Sequence, residues 1–183
     1  MRKLVVTEFL SLDGVMEEPR WTAPYWNDEI AAVKSGELLA ADSMLLGRVT
    51  YQGFAAAWPA STEGDFAGRM NGLPKQVVSS TLTSLDWNNS SLLEGDLAAA
   101  VSRLKAQDGG DILVHGSSQL VQTLMAHGLV DLYRLLVYPV VVGSGKRLFS
   151  GPTPATLELT ESRTFSSGVV MLCYTQERAL QAG

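Results

Sequence analysis

The chain has 183 residues, of which 46% are hydrophobic and 18% are charged, and its formal net charge is −5. This length fits one domain, and the hydrophobic content excludes an intrinsically disordered chain. Lys and Arg form no cluster in the sequence, which argues against a nucleic-acid-binding protein.

The cysteine and histidine content limits the chemistry further. Cys173 is the one cysteine, which excludes an intrachain disulfide, and two histidines offer no zinc-ligand spacing. The first residues lack the long apolar region of a secretory signal, and no segment approaches the ~18 apolar residues of a membrane span. We therefore expect a cytoplasmic protein with no metal, membrane or nucleic-acid partner.

Short apolar strands alternate with amphipathic helices along the chain. In chain order, the predicted elements are a strand at 3–10, an irregular loop through Trp26, a helix capped by Asn27 and reaching 40–41, a strand at 44–46, a helix at 49–58, a strand at 75–79, a candidate strand at 90–93, a helix at 96–107, a strand at 112–114, a helix at 117–126, a long strand at 131–142 and a hairpin of 155–164 with 169–176.

Strand–helix–strand crossovers indicate parallel pairing, and parallel strands are usually covered on both faces. The last strands have no helix between them, so we expect them to pair antiparallel. The sequence thus predicts one α/β domain over residues 1–183, with three layers (helix, sheet, helix) and a mainly parallel mixed sheet. Pro139 is expected to mark a bulge or an edge in the long strand.

Small and polar residues follow four of the predicted strands, where α/β sheets bind their ligands. Two of these segments, at Gly47 and Gly116, lead directly from a strand into a helix, whose free N–H groups and positive dipole end bind phosphate. Arg48 adds a guanidinium suited to a phosphate. Such segments suit a dinucleotide, although turns and helix caps use the same residue types. The four segments are Asp13-Gly14, Gly47-Arg48-Val49-Thr50, Ser79-Ser80-Thr81 and His115-Gly116-Ser117-Ser118.

The order of three segments, at 45–51, 76–82 and 112–120, resembles the dihydrofolate reductase superfamily. The closer likeness is to its branch containing the reductase domain of bifunctional riboflavin-biosynthesis proteins. Segments at 11–14 and 128–149 fit the same branch, and the resemblance covers Lys3 to about Tyr174. It implies a dihydrofolate reductase-like fold, NADPH as hydride donor, and a flat nitrogen heterocycle, pterin-like or aminouracil-like, as the small-molecule substrate.

The resemblance also implies roles for particular positions. Arg48 and Thr50 fall where the superfamily holds the 2′-phosphate and pyrophosphate of NADPH, with Gly47 at the same helix start, and Ser79 and Ser80 fall beside the adenosine phosphate. The second helix start, under the pyrophosphate, comprises Gly116, Ser117 and Ser118, with Gln119 at its edge. Asp13 and Gly14 fall at the nicotinamide and substrate end.

Reduction of a C=N or C=O bond needs a proton source besides the hydride. The resemblance places a carboxylate on the first helix, where Glu29 matches better than Asp28, and Asp13 is the rival candidate. Acidic residues in a first helical turn also serve the helix dipole, which is the structural alternative. Trp26 and His115 are candidate substrate contacts, with packing roles as their alternative.

Two departures from the superfamily bear on the substrate and the assembly. Folate reductases place an arginine where this chain has Leu73, and Lys75 cannot form a planar bidentate clamp, which disfavours folate. A dihydrofolate reductase proper and a non-catalytic NADP(H)-binding protein remain the alternatives to a heterocycle reductase. The family likeness and an apolar strand at 135–142, placed near the sheet edge, predict a homodimer.

Overall fold

The computed structural model describes residues 1–62, 64–151 and 154–176. Its strands are β1 (Leu4–Ser11), β2 (Ala41–Gly47), β3 (Lys75–Val78), β4 (Ser90–Leu92), β5 (Asp111–His115), β6 (Leu132–Tyr138), β7 (Leu157–Thr164) and β8 (Val170–Gln176). Its helices are α1 (Asp28–Ala40), α2 (Arg48–Ala57), α3 (Gly64–Gly72), α4 (Leu97–Ala106) and α5 (Ser118–Ala126).

The strands form one mixed sheet in the order β4-β3-β2-β5-β1-β6-β8-β7. Pairing is parallel from β4 to β6 and antiparallel from β6 through β8 to β7. The predicted α/β architecture with an antiparallel C-terminal edge is therefore confirmed. Because β2 and β5 are neighbours in the sheet, the helices that follow them begin side by side.

Helices cover the two faces of the sheet, and this explains why the central strands are almost wholly apolar. Side chains from α4 and α5, such as Val101 and Leu124, pack on one face, and Leu38 and Met70, from α1 and α3, pack on the other. A third cluster, which includes Ile30, ties the first turns of α1 to the C-terminal strands. Full burial of one such aliphatic side chain contributes about 1.5–3 kcal/mol.

The structure corrects the predicted strand over 131–142. β6 ends at Tyr138, because Pro139 has no N–H to donate and Val140 instead accepts a hydrogen bond from the Leu12 amide at 2.7 Å. The strand also lies between β1 and β8, so it is no edge. The edge argument for a homodimer is therefore wrong, and the homodimer stays a prediction that rests on the family likeness.

Two helical segments lie where no helix was predicted. α3 contains three glycines, which weaken the helical signal, yet it buries Ala67 and Met70. A short 3-10 helix at Pro19–Tyr25 lies inside the predicted irregular loop. Across the described ranges, the longest apolar helices fall short of what a membrane crossing requires.

Candidate functional site

A cavity of about 1430 Å³ opens over the carboxyl ends of β1, β2, β3 and β5. Typical small-molecule pockets are roughly 300–1,000 Å³, so this one has room for a ligand larger than a single drug-sized molecule. All the residues predicted to bind the cofactor line it, namely Gly47, Arg48, Thr50, Ser79, Ser80, Gly116, Ser117, Ser118 and Gln119.

The starts of α2 and α5 are joined by direct hydrogen bonds at the cavity wall. The Ser117 amide donates to the Thr50 hydroxyl over 3.0 Å, and the Gly47 amide donates to the Ser117 hydroxyl over 2.9 Å. These contacts place two helix N-termini, with their first-turn amides and positive dipole ends, at one cavity. Such a pair can hold two phosphate groups of a single ligand.

The backbone between β5 and α5 is in the left-handed region at two consecutive residues. Gly116 has φ +54° and Ser117 has φ +58°. A Cβ atom at Gly116 would come within 2.6 Å of the Thr50 hydroxyl oxygen, so both conformation and space require glycine. Non-glycine residues such as Ser117 pay about 1–3 kcal/mol for this conformation, and such strain concentrates at ligand-binding segments.

Arg48 and the loop after β3 form the far end of the cavity. The Arg48 guanidinium is exposed and contacts only a neutral group, the Gln52 amide oxygen at 3.2 Å; within the described residues, no carboxylate pairs with it. The Ser79 hydroxyl accepts from the amides of Thr81 and Leu82, which fixes the loop, and Ser80 is exposed beside it. This end can receive an anionic group.

Charged residues are buried beneath the cavity wall between α1 and β1. The Lys34 ammonium donates to the Thr7 hydroxyl over 2.8 Å and pairs with Glu37. Arg134 approaches the other Glu37 oxygen at 3.5 Å, so the carboxylate is shared between two cations. Thr7 and Lys34 line the cavity. The buried network therefore holds a positive charge close to the cavity.

His115 ends β5 opposite Thr7 in the parallel ladder and lines the cavity, as predicted for a substrate contact. Its ring lies 5.9 Å from the Phe54 ring, and its Nε2 atom is buried with no hydrogen-bond partner among the described residues. Burial, reinforced by the Lys34 charge, holds the pKa of His115 well below its usual value. A neutral imidazole can both donate and accept hydrogen bonds.

Glu8 is a cavity residue that the sequence reasoning missed. It is 6% exposed, lines the cavity, and its Oε1 atom is buried with no hydrogen-bond partner among the described residues. Burial raises the pKa of Glu8 well above its usual value, although Lys34 and the Gly116 amide act in the opposite direction. The available signal was a carboxylate inside the otherwise apolar strand of residues 3–10.

The structure does not bring Glu29 to the cavity. Its carboxylate accepts hydrogen bonds from the amide (2.8 Å) and hydroxyl of Ser166 and faces Arg163 at 3.7 Å. These bonds lower the pKa of Glu29, which keeps it ionised, and they fasten α1 to the turn between β7 and β8. The face of α1 that lines the cavity carries Ala31, Lys34 and Ser35 instead.

Asp13 and Gly14 also lie outside the cavity lining. The Asp13 carboxylate accepts from the Ser11 hydroxyl and from the amides of Val142 (3.1 Å) and Gly143 (2.9 Å), and these bonds lower its pKa to about 2. An acid this strong has no proton to give near neutral pH. Asp13 therefore closes the loop after Tyr138, and Gly14, at φ +81°, makes the adjoining turn.

Two further sequence expectations concern aromatic and basic residues. Trp26 is 47% exposed and lines the cavity, with its ring edge-on to that of Phe9. Leu73 is buried in the core, and the Lys75 ammonium donates to the backbone carbonyls of Asn71, Leu73 and Asn88. Burial lowers the pKa of Lys75 to about 8. Neither residue can clamp the carboxylates of a folate.

Two curated proteins of Bacillus subtilis strain 168 are similar to the chain over nearly their whole length. YyaP is 29% identical over 178 residues, which cover 94% of each chain. YwjB is 29% identical over 174 residues, covering 92% of this chain and 95% of its own. Both relatives are uncharacterized proteins, so this similarity gives no information about activity.

Three solved structures share the fold. A proposed riboflavin biosynthesis protein of Shewanella sp. PV-4 superposes with a TM-score of 0.77 at 21% identity, covering 96% of this chain and 99% of its own. A pyrimidine reductase-like protein of Corynebacterium diphtheriae gives 0.65 at 13% identity, covering 97% and 92%. A bifunctional deaminase and 5-amino-6-(5-phosphoribosylamino)uracil reductase of Thermotoga maritima gives 0.65 at 14% identity, and this chain covers 56% of it.

These likenesses agree with the resemblance that the strand-end segments suggested. The fold is that of the dihydrofolate reductase superfamily, with the mixed eight-stranded sheet described above. The RibD C-terminal domain family matches residues 2–171, which is most of the chain. The chain therefore belongs to the RibD C-terminal domain family.

Proposed function

We propose that this protein is an NADPH-dependent reductase of a flat nitrogen heterocycle of the pyrimidine or pterin kind. The observation that carries the proposal is the hydrogen bond between Ser117 and Thr50, which brings the starts of two helices to one cavity. The names of two fold neighbours, a pyrimidine reductase-like protein and an aminouracil reductase, support the same reaction class.

The residues present fit a dinucleotide. The left-handed turn at Gly116 and Ser117 and the first amides of α5 suit a pyrophosphate, and Gly116 leaves the space that a Cβ would fill. Arg48 is exposed and pairs with no carboxylate in the part of the chain that the structure describes, which suits a 2′-phosphate. When bound, a dihydronicotinamide supplies the hydride for reduction.

The opposite end of the cavity suits a flat, polar ring. His115 offers a neutral ring nitrogen that has no partner among the described residues, and Trp26 offers an exposed ring at the rim. Buried groups that lack partners discriminate strongly between ligands that satisfy them and ligands that do not. Folate is disfavoured, because Leu73 is buried and the Lys75 ammonium is already occupied.

Thermal unfolding with NADPH, with NADH and without ligand tests the proposal. Ligand at ~100 times its dissociation constant adds roughly 2.7 kcal/mol to the stability of the protein that binds it, so a rise in melting temperature is expected with NADPH and a smaller one with NADH. Oxidation of NADPH is then followed with an aminouracil and with a dihydropterin. Stabilisation without oxidation would indicate the non-catalytic alternative, and the absence of stabilisation would contradict NADPH binding altogether.

A further inference from the structure

The cavity contains one carboxyl group that is shielded from water. Among the described residues that line it, those with carboxyl groups are Glu8, Glu17 and Glu18. Glu17 pairs with Lys146 at 3.1 Å on a partly exposed loop, and Glu18 is exposed. Glu8 differs from both, because it projects from the central strand β1 and its Oε1 atom is buried without a partner.

An ionised carboxylate without a partner is costly to bury, whereas a protonated one needs only ordinary hydrogen bonding. Glu8 is flanked on its own strand by Thr7 and Phe9, and its main chain pairs with Leu135 of β6. Two charged groups of α1 act on the Glu8 carboxyl: Lys34 lowers its pKa and Glu37 raises it. The Gly116 amide, from the turn between β5 and α5, also lowers the pKa. Burial outweighs them, and the carboxyl keeps its proton at a higher pH than a free glutamate.

Glu8 also lines the cavity next to the turn between β5 and α5. The Gly116 amide is close to its carboxyl group, and Gly116 belongs to the turn that suits the pyrophosphate. Thr7 and His115 pair with each other on adjacent strands and line the same cavity. Glu8 follows Thr7, so its side chain leaves the opposite face of β1, the face that carries Val6 and Leu10. The carboxyl therefore borders the cavity beside the turn at Gly116, across β1 from Thr7.

We propose that Glu8 is the proton donor of the reductase, delivering the proton on its carboxyl group to the nitrogen of a C=N bond in the substrate. The proposal depends on the reductase function proposed above and identifies the acid that this reaction requires. As the carbon receives a hydride, the π bond of C=N breaks and its electron pair forms a new N–H bond with the proton of Glu8. The Glu8 O–H bond breaks in the same step, and the carboxylate takes a proton from water at the cavity mouth after product leaves.

The test compares Glu8→Gln with the wild type and with Glu158→Gln, a matched substitution on exposed β7. Gln has the shape of a protonated Glu but cannot give up a proton, so the turnover number should fall by about 10²-fold or more. NADPH affinity, measured by thermal shift, should change less than twofold. Glu8→Asp, which keeps the acid, should restore part of the turnover and serves as the second variant if Glu8→Gln folds poorly.

A readout on the ligand-free protein complements turnover. Carbon-13 NMR of glutamate-labelled protein should show a carboxyl that titrates well above the range of a free glutamate, and this signal should be missing in Glu8→Gln. The proposal would be overturned if Glu8 titrated in the range of a free glutamate or if Glu8→Gln kept full turnover. It would also be overturned if Glu8→Gln lost NADPH affinity while retaining turnover. If wild-type protein reduces no heterocycle while binding NADPH, the reductase function fails and the donor role fails with it; if wild type and Glu8→Gln turn over equally, only the donor role fails.

Discussion

The Ser117 amide donates a hydrogen bond to the Thr50 hydroxyl across 3.0 Å, although the two residues are 67 positions apart. β2 and β5 are neighbours in the sheet, so the turns that end them are adjacent. The bond fixes their relative position before any ligand is present. A prearranged site of this kind saves the ordering cost that would otherwise weaken binding.

Removing the Thr50 hydroxyl, which accepts the hydrogen bond from the Ser117 amide, should loosen the starts of both helices. Thr50→Val keeps the shape of the side chain but leaves the Ser117 amide without its partner. We expect a stability loss of about 1 kcal/mol in urea unfolding and about a tenfold loss in NADPH affinity. Thr83→Val, at an exposed position, is the control. Unchanged NADPH affinity in Thr50→Val would contradict the joined-turn account.

Gly116→Ala should be more damaging, since it introduces a Cβ at φ +54° and 2.6 Å from the Thr50 oxygen. We expect a loss of about 1–3 kcal/mol in unfolding free energy and no thermal stabilisation by NADPH. Gly68→Ala is the matched control, because a Cβ there meets nothing within 4 Å and the residue lies within α3. That control should gain roughly 0.5–1 kcal/mol. Equal stability of the two variants would show that the turn tolerates side chains.

Arg48→Ala tests the 2′-phosphate assignment. Loss of a charge-assisted contact to a phosphate should weaken NADPH binding by about tenfold or more and leave NADH binding nearly unchanged. Isothermal titration with both cofactors measures the difference. Arg103→Ala, on the exposed side of α4, should affect neither. Equal losses for NADPH and NADH in Arg48→Ala would count against the assignment.

The raised pKa of Glu8 makes a prediction about stability and pH. Above its unfolded value of 4.5 the unfolded chain has released a proton that the folded chain still holds, so folding becomes less favourable as pH rises from 4.5 to the folded pKa. Glu8→Gln removes this penalty. Its stability relative to the wild type should therefore increase as pH rises above 4.5 in urea unfolding. A difference that stays constant with pH would show that Glu8 is not perturbed.

His115 predicts the opposite dependence. The pKa of His115 is lower in the folded protein than in the unfolded chain. Below pH 6.5 the unfolded chain therefore binds a proton at His115 that the folded protein does not bind, and the free energy of unfolding falls as pH drops below that value. His115→Asn should weaken this acid sensitivity. His127→Asn, at the exposed end of α5, is the control. If both variants keep the wild-type slope below pH 6.5, the burial of His115 does not control its protonation.

Much of this site was predictable because α/β sheets bind their ligands at the carboxyl ends of the parallel strands. Segments at 47–50 and 115–118 combine glycine with hydroxyls after apolar strands, and neighbouring strands bring such ends together whatever the loops do. α3 was not predictable, because its glycines mask a short apolar face at Ala67 and Met70. The end of β6 depended on Pro139 and on a tertiary bond from Leu12, which local patterning does not contain.

The proton donor was missed for a related reason. The resemblance to dihydrofolate reductases suggested Glu29, but that residue faces Ser166, and α1 presents Ala31 and Lys34 to the cavity. Glu8 interrupts an apolar strand, and a single sequence does not tell whether such a residue faces a cavity or a partner in the core. Only the packing around β1 decides this.

A crystal structure of the NADPH complex tests the central claim most directly. We expect the pyrophosphate oxygens within about 3 Å of the first amides of α5, at Ser118 and Gln119, and the 2′-phosphate in contact with Arg48 of the same site. Cofactor bound away from either turn, or spanning only one of them, would contradict the account.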